Sequence, residues 1–176
     1  MRLFTAIDLP KEMLEKLGTF LARLSSFGKL RWTAVENLHI TTKFIGEWPE
    51  GRLEEIKSAL RGVSQTEAIR ISVRSVGWFP DSRRPHVFWA GVDGGVPLIK
   101  LAGATEQAVA ALGVPVDARA YSPHLTLARV KYAVPLDDLR TAAGDPDFGA
   151  FEAASFFLYL SSNGKYSKLA EFPLNS

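Results

Sequence analysis

The chain has no cysteine among its 176 residues. Disulfides, thiolate zinc sites, iron–sulfur clusters and a cysteine nucleophile are thereby excluded, and a reducing compartment is the natural setting. Charge of one sign is also scarce, because 21 Lys+Arg stand against 19 Asp+Glu for a formal charge of +2. Bulk-charge binding is ruled out, so any anion site must be local. No apolar run approaches the ~18 residues of a membrane span, and the N-terminal Leu3-Phe4-Thr5-Ala6-Ile7 stretch ends at the acid Asp8. A cytoplasmic protein without membrane contact is expected. The chain also lacks a Gly-x-Ser-x-Gly elbow, a Gly-Lys-Ser/Thr phosphate loop and a Gly-x-Gly-x-x-Gly turn, which argues against serine-nucleophile, nucleoside-triphosphate and dinucleotide chemistry.

What is present is ordinary in bulk and unusual in pattern. Hydrophobic residues make up 47% and charged ones 23%, enough apolar surface for a sizeable core. No low-complexity or linker-like segment divides the chain, so residues 1–176 are expected to form one body. Within it lies a repeat. Phe4-Thr5-Ala6-Ile7-Asp8 resembles Phe88-Trp89-Ala90-Gly91-Val92-Asp93, with Ala6 and Ala90 84 residues apart. Each strand-like piece precedes a helical pattern, Met13, Leu14, Leu17, Leu21 and Leu24 in the first and Leu98, Leu101, Val109 and Leu112 in the second. Next come Asn37-Leu38-His39-Ile40-Thr41-Thr42 and Ser122-Pro123-His124-Leu125-Thr126-Leu127, whose histidines are 85 residues apart. Shorter helical patterns over 53–60 and 136–143, and β-rich runs over 69–78 and 151–160, complete the two halves. Asn163-Gly164 marks a hairpin turn. The fold expected is α+β, with two pseudo-symmetric lobes, each a mainly antiparallel sheet with outer helices, facing each other across a central cleft.

Strand alternation assigns His39, Thr41 and Lys43 to one face and Leu38, Ile40 and Phe44 to the other. In the second copy His124, Thr126 and Ala128 share a face, and Arg129 has the wrong parity unless the strand ends or bulges near Ala128. A lone histidine such as His86 is expected to be structural. Two histidines, each followed two positions later by a hydroxyl, are different: they supply two groups that titrate near neutrality and two neutral donors. One imidazole can take a proton from water while the other gives one to a departing ribose oxygen, and the threonines can hold the charged phosphoryl oxygens. Neither motif carries a carboxylate in a ligand-like position, so neither a metal nor another cofactor is expected.

In these motifs and their framework the chain resembles the two-histidine phosphoesterase superfamily, and within it the RNA 2′,3′-cyclic phosphodiesterases of bacteria and archaea, also called 2′-5′ RNA ligases. The resemblance runs from Arg2-Leu3-Phe4-Thr5-Ala6-Ile7-Asp8-Leu9-Pro10, through Trp32-Thr33 and Arg84-Pro85, to Pro123-His124-Leu125-Thr126-Leu127-Ala128-Arg129 and Leu158-Tyr159-Leu160-Ser161-Ser162. It implies hydrolysis of 2′,3′-cyclic phosphates to 2′-phosphomonoesters, in some members reverse 2′-5′ joining, with His39 as proton donor and His124 as proton acceptor. The near-symmetric sequence alone does not decide that order.

RNA with 2′,3′-cyclic phosphate ends, or a small cyclic nucleotide, is the partner expected of a monomer. Lys43, Phe44 and Arg129 are the candidate substrate contacts beside the four His/Thr positions. Arg31, Arg83, Arg84, Lys131, Lys165 and Lys168 could also meet an RNA backbone, and Trp48, Trp78, Phe79 or Trp89 could stack a base, although most such aromatics belong in a core. The competing readings are a phosphodiesterase for small cyclic nucleotides or 2′-5′ oligonucleotides, and an RNA-end-binding module without turnover. Permanently charged arginines would serve the latter better than histidines.

Overall fold

The first strand, β1 (Arg2–Asp8), is buried on both sides from Leu3 to Ile7. A computed structural model, describing residues 1–63, 67–131 and 133–174, shows what covers it. After β1 come helix α1 (Lys11–Leu24), β2 (Arg31–Trp32), β3 (His39–Glu47), α2 (Leu53–Arg61), β4 (Ile69–Phe79) and β5 (Val87–Asp93). The second half continues with α3 (Gly95–Ala110), β6 (His124–Arg129), α4 (Asp137–Ala143), β7 (Asp147–Ala153), β8 (Ser155–Ser162) and β9 (Lys165–Pro173). Two antiparallel sheets result, one ordered β3-β1-β8-β9 and the other β2-β6-β5-β4-β7. The two-lobed α+β arrangement expected from the sequence is the one observed.

Helix α1 forms because Met13, Leu17, Phe20, Leu21 and Leu24 fall on one face, and all five are buried. Its partners lie in the second lobe: Phe20 meets Phe148 of β7 edge to face at 5.1 Å, and Arg23 bonds the Ala142 carbonyl of α4 at 2.7 Å. Residues such as Leu17, Ile40, Ile56, Ile71, Phe88 and Leu125 join one continuous core, each stabilising the fold by roughly 1.5–3 kcal/mol. The two sequence halves do not coincide with the two sheets. Strand β4 of the first half pairs with β5, while β8 of the second half pairs with β1. The β-rich run 151–160 is therefore two strands, and the chain passes from one sheet to the other at Ala154.

At the end of β8 the hairpin turn forms as its residues dictate: Asn163 and Gly164 both take positive φ, 51° and 75°, as a type I′ turn requires.

Two bulges decide which side chains meet the cleft. In the β1–β3 ladder Thr5 pairs with Lys43 and Ala6 with Thr41, so Thr42 is an extra residue. In the β5–β6 ladder Phe88 pairs with Ala128 and Trp89 with Thr126, making Leu127 extra. Each bulge reverses the side-chain parity beyond it. Thr42 is turned inward, where its hydroxyl shares a 2.6 Å hydrogen bond with the fully buried Thr5 hydroxyl. Thr42→Val is expected to strand the Thr5 hydroxyl and cost about 1–3 kcal/mol, with the Thr5→Val/Thr42→Val pair recovering most of that loss. Denaturant melts of the three variants check it. Equal stability of Thr42→Val and wild type would mean that the buried pair contributes nothing.

Candidate active site

The histidines are built alike. His39 opens β3 and His124 opens β6, and each ring places Nδ1 2.9 Å from the carbonyl two residues back, Asn37 in one case and Ser122 in the other. A carbonyl only accepts, so Nδ1 carries the proton in both neutral rings and Nε2 is left for chemistry. Thr41 and Thr126 follow on the same faces. Among the described residues neither threonine hydroxyl is taken by a protein partner, unlike that of Thr42.

The two motifs meet across a cleft. Strands β3 and β6 come within 8 Å at their Cα atoms, and the Tyr121 hydroxyl, half-buried in the approach to β6, donates to the Thr41 carbonyl at 2.9 Å. Burial pushes the Tyr121 phenol well up, so it remains a donor. The cavity there has a volume of about 840 Å³ and is lined by Thr41, Phe44, Phe79, His86, Tyr121 and His124 among others. His39 and Thr126 stand two residues from Thr41 and His124 on the same faces, beyond the residues that line this cavity. Phe79 packs edge-on to His124 at 5.2 Å and against Trp89 at 5.1 Å. Trp89 needs Gly77 beneath it, where a Cβ would lie 2.2 Å from the indole.

The bulges correct two of the expected positions. Phe44 pairs with Phe4 and shares the face of Thr41 and His39, 65% exposed, whereas Lys43 has the opposite parity on the strand, although it too lines the cavity. Its ammonium is buried against Glu106 at 2.9 Å, Asp117 at 3.0 Å and the Pro115 carbonyl at 3.1 Å. Lys43 thus ties the first motif to α3 and to the loop before the second, and its charge is already committed. Arg129 pairs with Val87, two residues from the Trp89 that faces Thr126, so the Leu127 bulge puts it on the face of His124. Of the other candidate aromatics, Trp48 and Trp78 pack in the core and Phe44 and Phe79 line the cavity.

One asymmetry was not visible in the repeat. Asp8 pairs with His39, but the residue pairing with His124 is Gly91 and not Asp93, so these strands are offset by 83 residues and not 84. Only His39 therefore has a carboxylate opposite it. Asp8 Oδ1 lies 3.5 Å from His39 Nε2 and accepts a bond from the Tyr159 hydroxyl, while Oδ2 meets Lys168 Nζ at 2.6 Å. Tyr159 and Tyr166 pack against the His39 ring, with Phe4 behind them. Burial pulls the His39 imidazole below its usual pKa, the Asn37 carbonyl and Asp8 pull it back up, and Lys168 adds a smaller downward push. The Tyr159 phenol is driven well up, by burial first and Asp8 second, and stays a donor. Among the described residues no three His, Asp or Glu side chains gather in a metal-holding cluster.

Known proteins share this fold. A family model described as LigT-like phosphoesterase matches residues 7–89, a stretch that holds the first histidine motif and ends before the second. An RNA 2′,3′-cyclic phosphodiesterase of Methanocaldococcus jannaschii is 35% identical over 165 residues, 92% of each chain. A protein of the same name from Archaeoglobus fulgidus is 35% identical over 159 residues, 90% of this chain and 89% of that one. The crystal structure of Escherichia coli LigT complexed with 3′-AMP superposes with a TM-score of 0.82 at 27% identity, covering 99% of this chain and 98% of the other.

Proposed function

Because the chain belongs to the LigT-like phosphoesterase family, we propose that it is an enzyme hydrolysing the 2′,3′-cyclic phosphate ends of RNA to 2′-phosphomonoesters by paired histidine acid–base catalysis without a metal. The observation that carries this reading is the matched pair of imidazoles, each with Nδ1 fixed on a carbonyl and a threonine hydroxyl on the same face, carried by strands that approach each other at one cleft.

His39 is the acid and His124 the base. In-line attack needs water and leaving oxygen on opposite sides of phosphorus, which two histidines on facing strands supply. His124 Nε2 takes the proton of the attacking water, and His39 Nε2 gives one to O3′ as the P–O3′ bond breaks. Thr41 and Thr126 donate to the non-bridging oxygens as their charge grows. Arg129, on the face of His124, meets a phosphate, and the exposed Phe44 stacks the terminal base. With a 5′-hydroxyl in place of the attacking water, the same steps would join it to a 2′,3′-cyclic end through a 2′-5′ bond as O3′ departs. Asp8 breaks the symmetry of the pair, because its charge favours a proton on His39 Nε2 and Gly91 offers His124 nothing comparable.

The pH profile tests this division of labour. kcat/KM should be bell-shaped, and its limbs belong to the coupled pair. Around His39 stand Asp8 of β1, Tyr159 of β8, Tyr166 and Lys168 of β9, and the Asn37 carbonyl. Asp8→Asn removes the one negative charge and leaves Lys168, so the His39 pKa falls further. Above that pKa the protonated fraction drops in proportion, whereas at low pH His39 is protonated regardless and the base limits the rate. A loss of about tenfold is therefore expected on the alkaline side only. A uniform loss, or one confined to the acid side, would remove Asp8 and His39 from these roles.

A further inference from the structure

Resting on that reading, we propose that the RNA strand leading up to the cyclic end lies in a basic track over the second lobe, running from the His86 rim of the cleft past Arg84 and Lys131 to Arg31. The track is a chain of three adjoining depressions. The cleft shares His86 with a cavity of about 620 Å³ lined by Arg83, Arg84, Lys131 and Arg140, and that cavity shares Lys131 with one of about 540 Å³ lined by Lys29, Arg31 and Trp32.

The fold explains why these cations gather. Strand β4 ends, β5 begins and β6 ends at one edge of the sheet, and Arg31 of β2 pairs directly with Arg129 of β6. The loop joining β4 to β5 is pinned to the same edge, with the His86 amide on the Phe79 carbonyl at 2.6 Å and the Val130 amide on the His86 carbonyl at 2.9 Å. Acids are few along it. Asp137 lies 3.9 Å from Arg140, and Asp81 accepts the Arg83 and Arg84 amides at 2.7 and 3.0 Å, which uses its carboxylate to shape the turn. Among the described residues Lys29, Arg31, Arg83, Arg84 and Lys131 have no carboxylate within 4.0 Å. Across the cleft Lys168 is held by Asp8, and Lys43 by Glu106 and Asp117.

In a chain with a net charge of only +2, an unpaired row of cations continuous with the active site suits a polyanion anchored there by its end. Single-stranded RNA fits it, because its backbone can follow a groove and its affinity comes from the phosphates. The enzyme would then favour chain ends over free cyclic nucleotides through KM, and salt would erode that preference.

The test compares a 2′,3′-cyclic mononucleotide with an eight-nucleotide RNA carrying the same end, across a salt series. Three proteins are used: wild type, Arg84→Glu/Lys131→Glu, and Lys11→Glu/Lys100→Glu as a charge-matched control whose residues line none of the three cavities. The track variant should raise KM for the oligonucleotide about tenfold, with kcat and all mononucleotide kinetics unchanged, while the control behaves as wild type. The slope of log(1/KM) against log salt should flatten by about 0.7 for each phosphate that the variant no longer neutralises. Equal KM for the two substrates in wild type, or equal effects of the two variants, would overturn the track and leave the proposed chemistry standing. If neither substrate turns over, the proposed function fails, and fluorescence anisotropy of the labelled oligonucleotide with the same variants still decides the track.

Discussion

Replacing either His39 or His124 with alanine is expected to lower kcat by about 10²–10⁴-fold, the range supplied by one positioned general acid or base. His124 is held by one carbonyl bond and the edge of Phe79, His39 by one carbonyl bond, Asp8 and aromatic edges, and neither belongs to the main core, so the substitutions should leave circular dichroism and cooperative unfolding intact. The double variant should lose much less than the product of the two single losses, because proton removal and proton delivery serve one transition state. Chelation should leave wild type unchanged. Inhibition by a chelator that added zinc or manganese reverses would end the metal-independent scheme, and a His124→Ala enzyme with near-normal kcat would end the pairing.

The next largest effect should come from the threonines. Thr41→Val and Thr126→Val keep side-chain shape while deleting a hydroxyl that lacks a protein partner among the described residues, so little stability is at stake. If each hydroxyl meets a non-bridging oxygen as charge develops, each loss should cut kcat by about tenfold or more with KM little changed. Thr42→Val is the built-in control, since that hydroxyl is turned away into its bond with Thr5. A loss of stability without loss of kcat at Thr42, and the reverse at Thr41, would separate the two neighbours. Unchanged kinetics in both Thr41→Val and Thr126→Val would return those residues to ordinary strand formers.

Much of this architecture was legible in the residues. The His-x-Thr pairs, the amphipathic faces of α1 and α3 and the Asn163-Gly164 turn are local signals, and local signals survive folding. What escaped depends on long-range pairing. Neither Thr41-Thr42 nor Leu127-Ala128 holds a glycine or proline to mark a bulge, yet one extra residue exchanges Lys43 for Phe44 and brings Arg129 round to the face of His124. The crossing at Ala154 was hidden because the flanking strands are apolar and β-prone alike, and only the sheet partner distinguishes them. Asp8 was missed as a partner of His39 for a related reason: aligning the repeats on their alanines matches Asp8 with Asp93, while the ladder matches it with Gly91.

If His39 stands beside O3′ as the acid with His124 opposite, the position of phosphate in the product reads it directly. A 2′,3′-cyclic mononucleotide and a cyclic-phosphate-ended RNA should be incubated with the enzyme in chelator and the products assigned by phosphorus NMR. Both should give 2′-phosphate alone, with weak, nucleotide-independent 2′-5′ joining at high concentrations of RNA ends. Products dominated by 3′-phosphate would place the ribose the other way round and contradict the assignment of acid and base, even if both histidines proved essential.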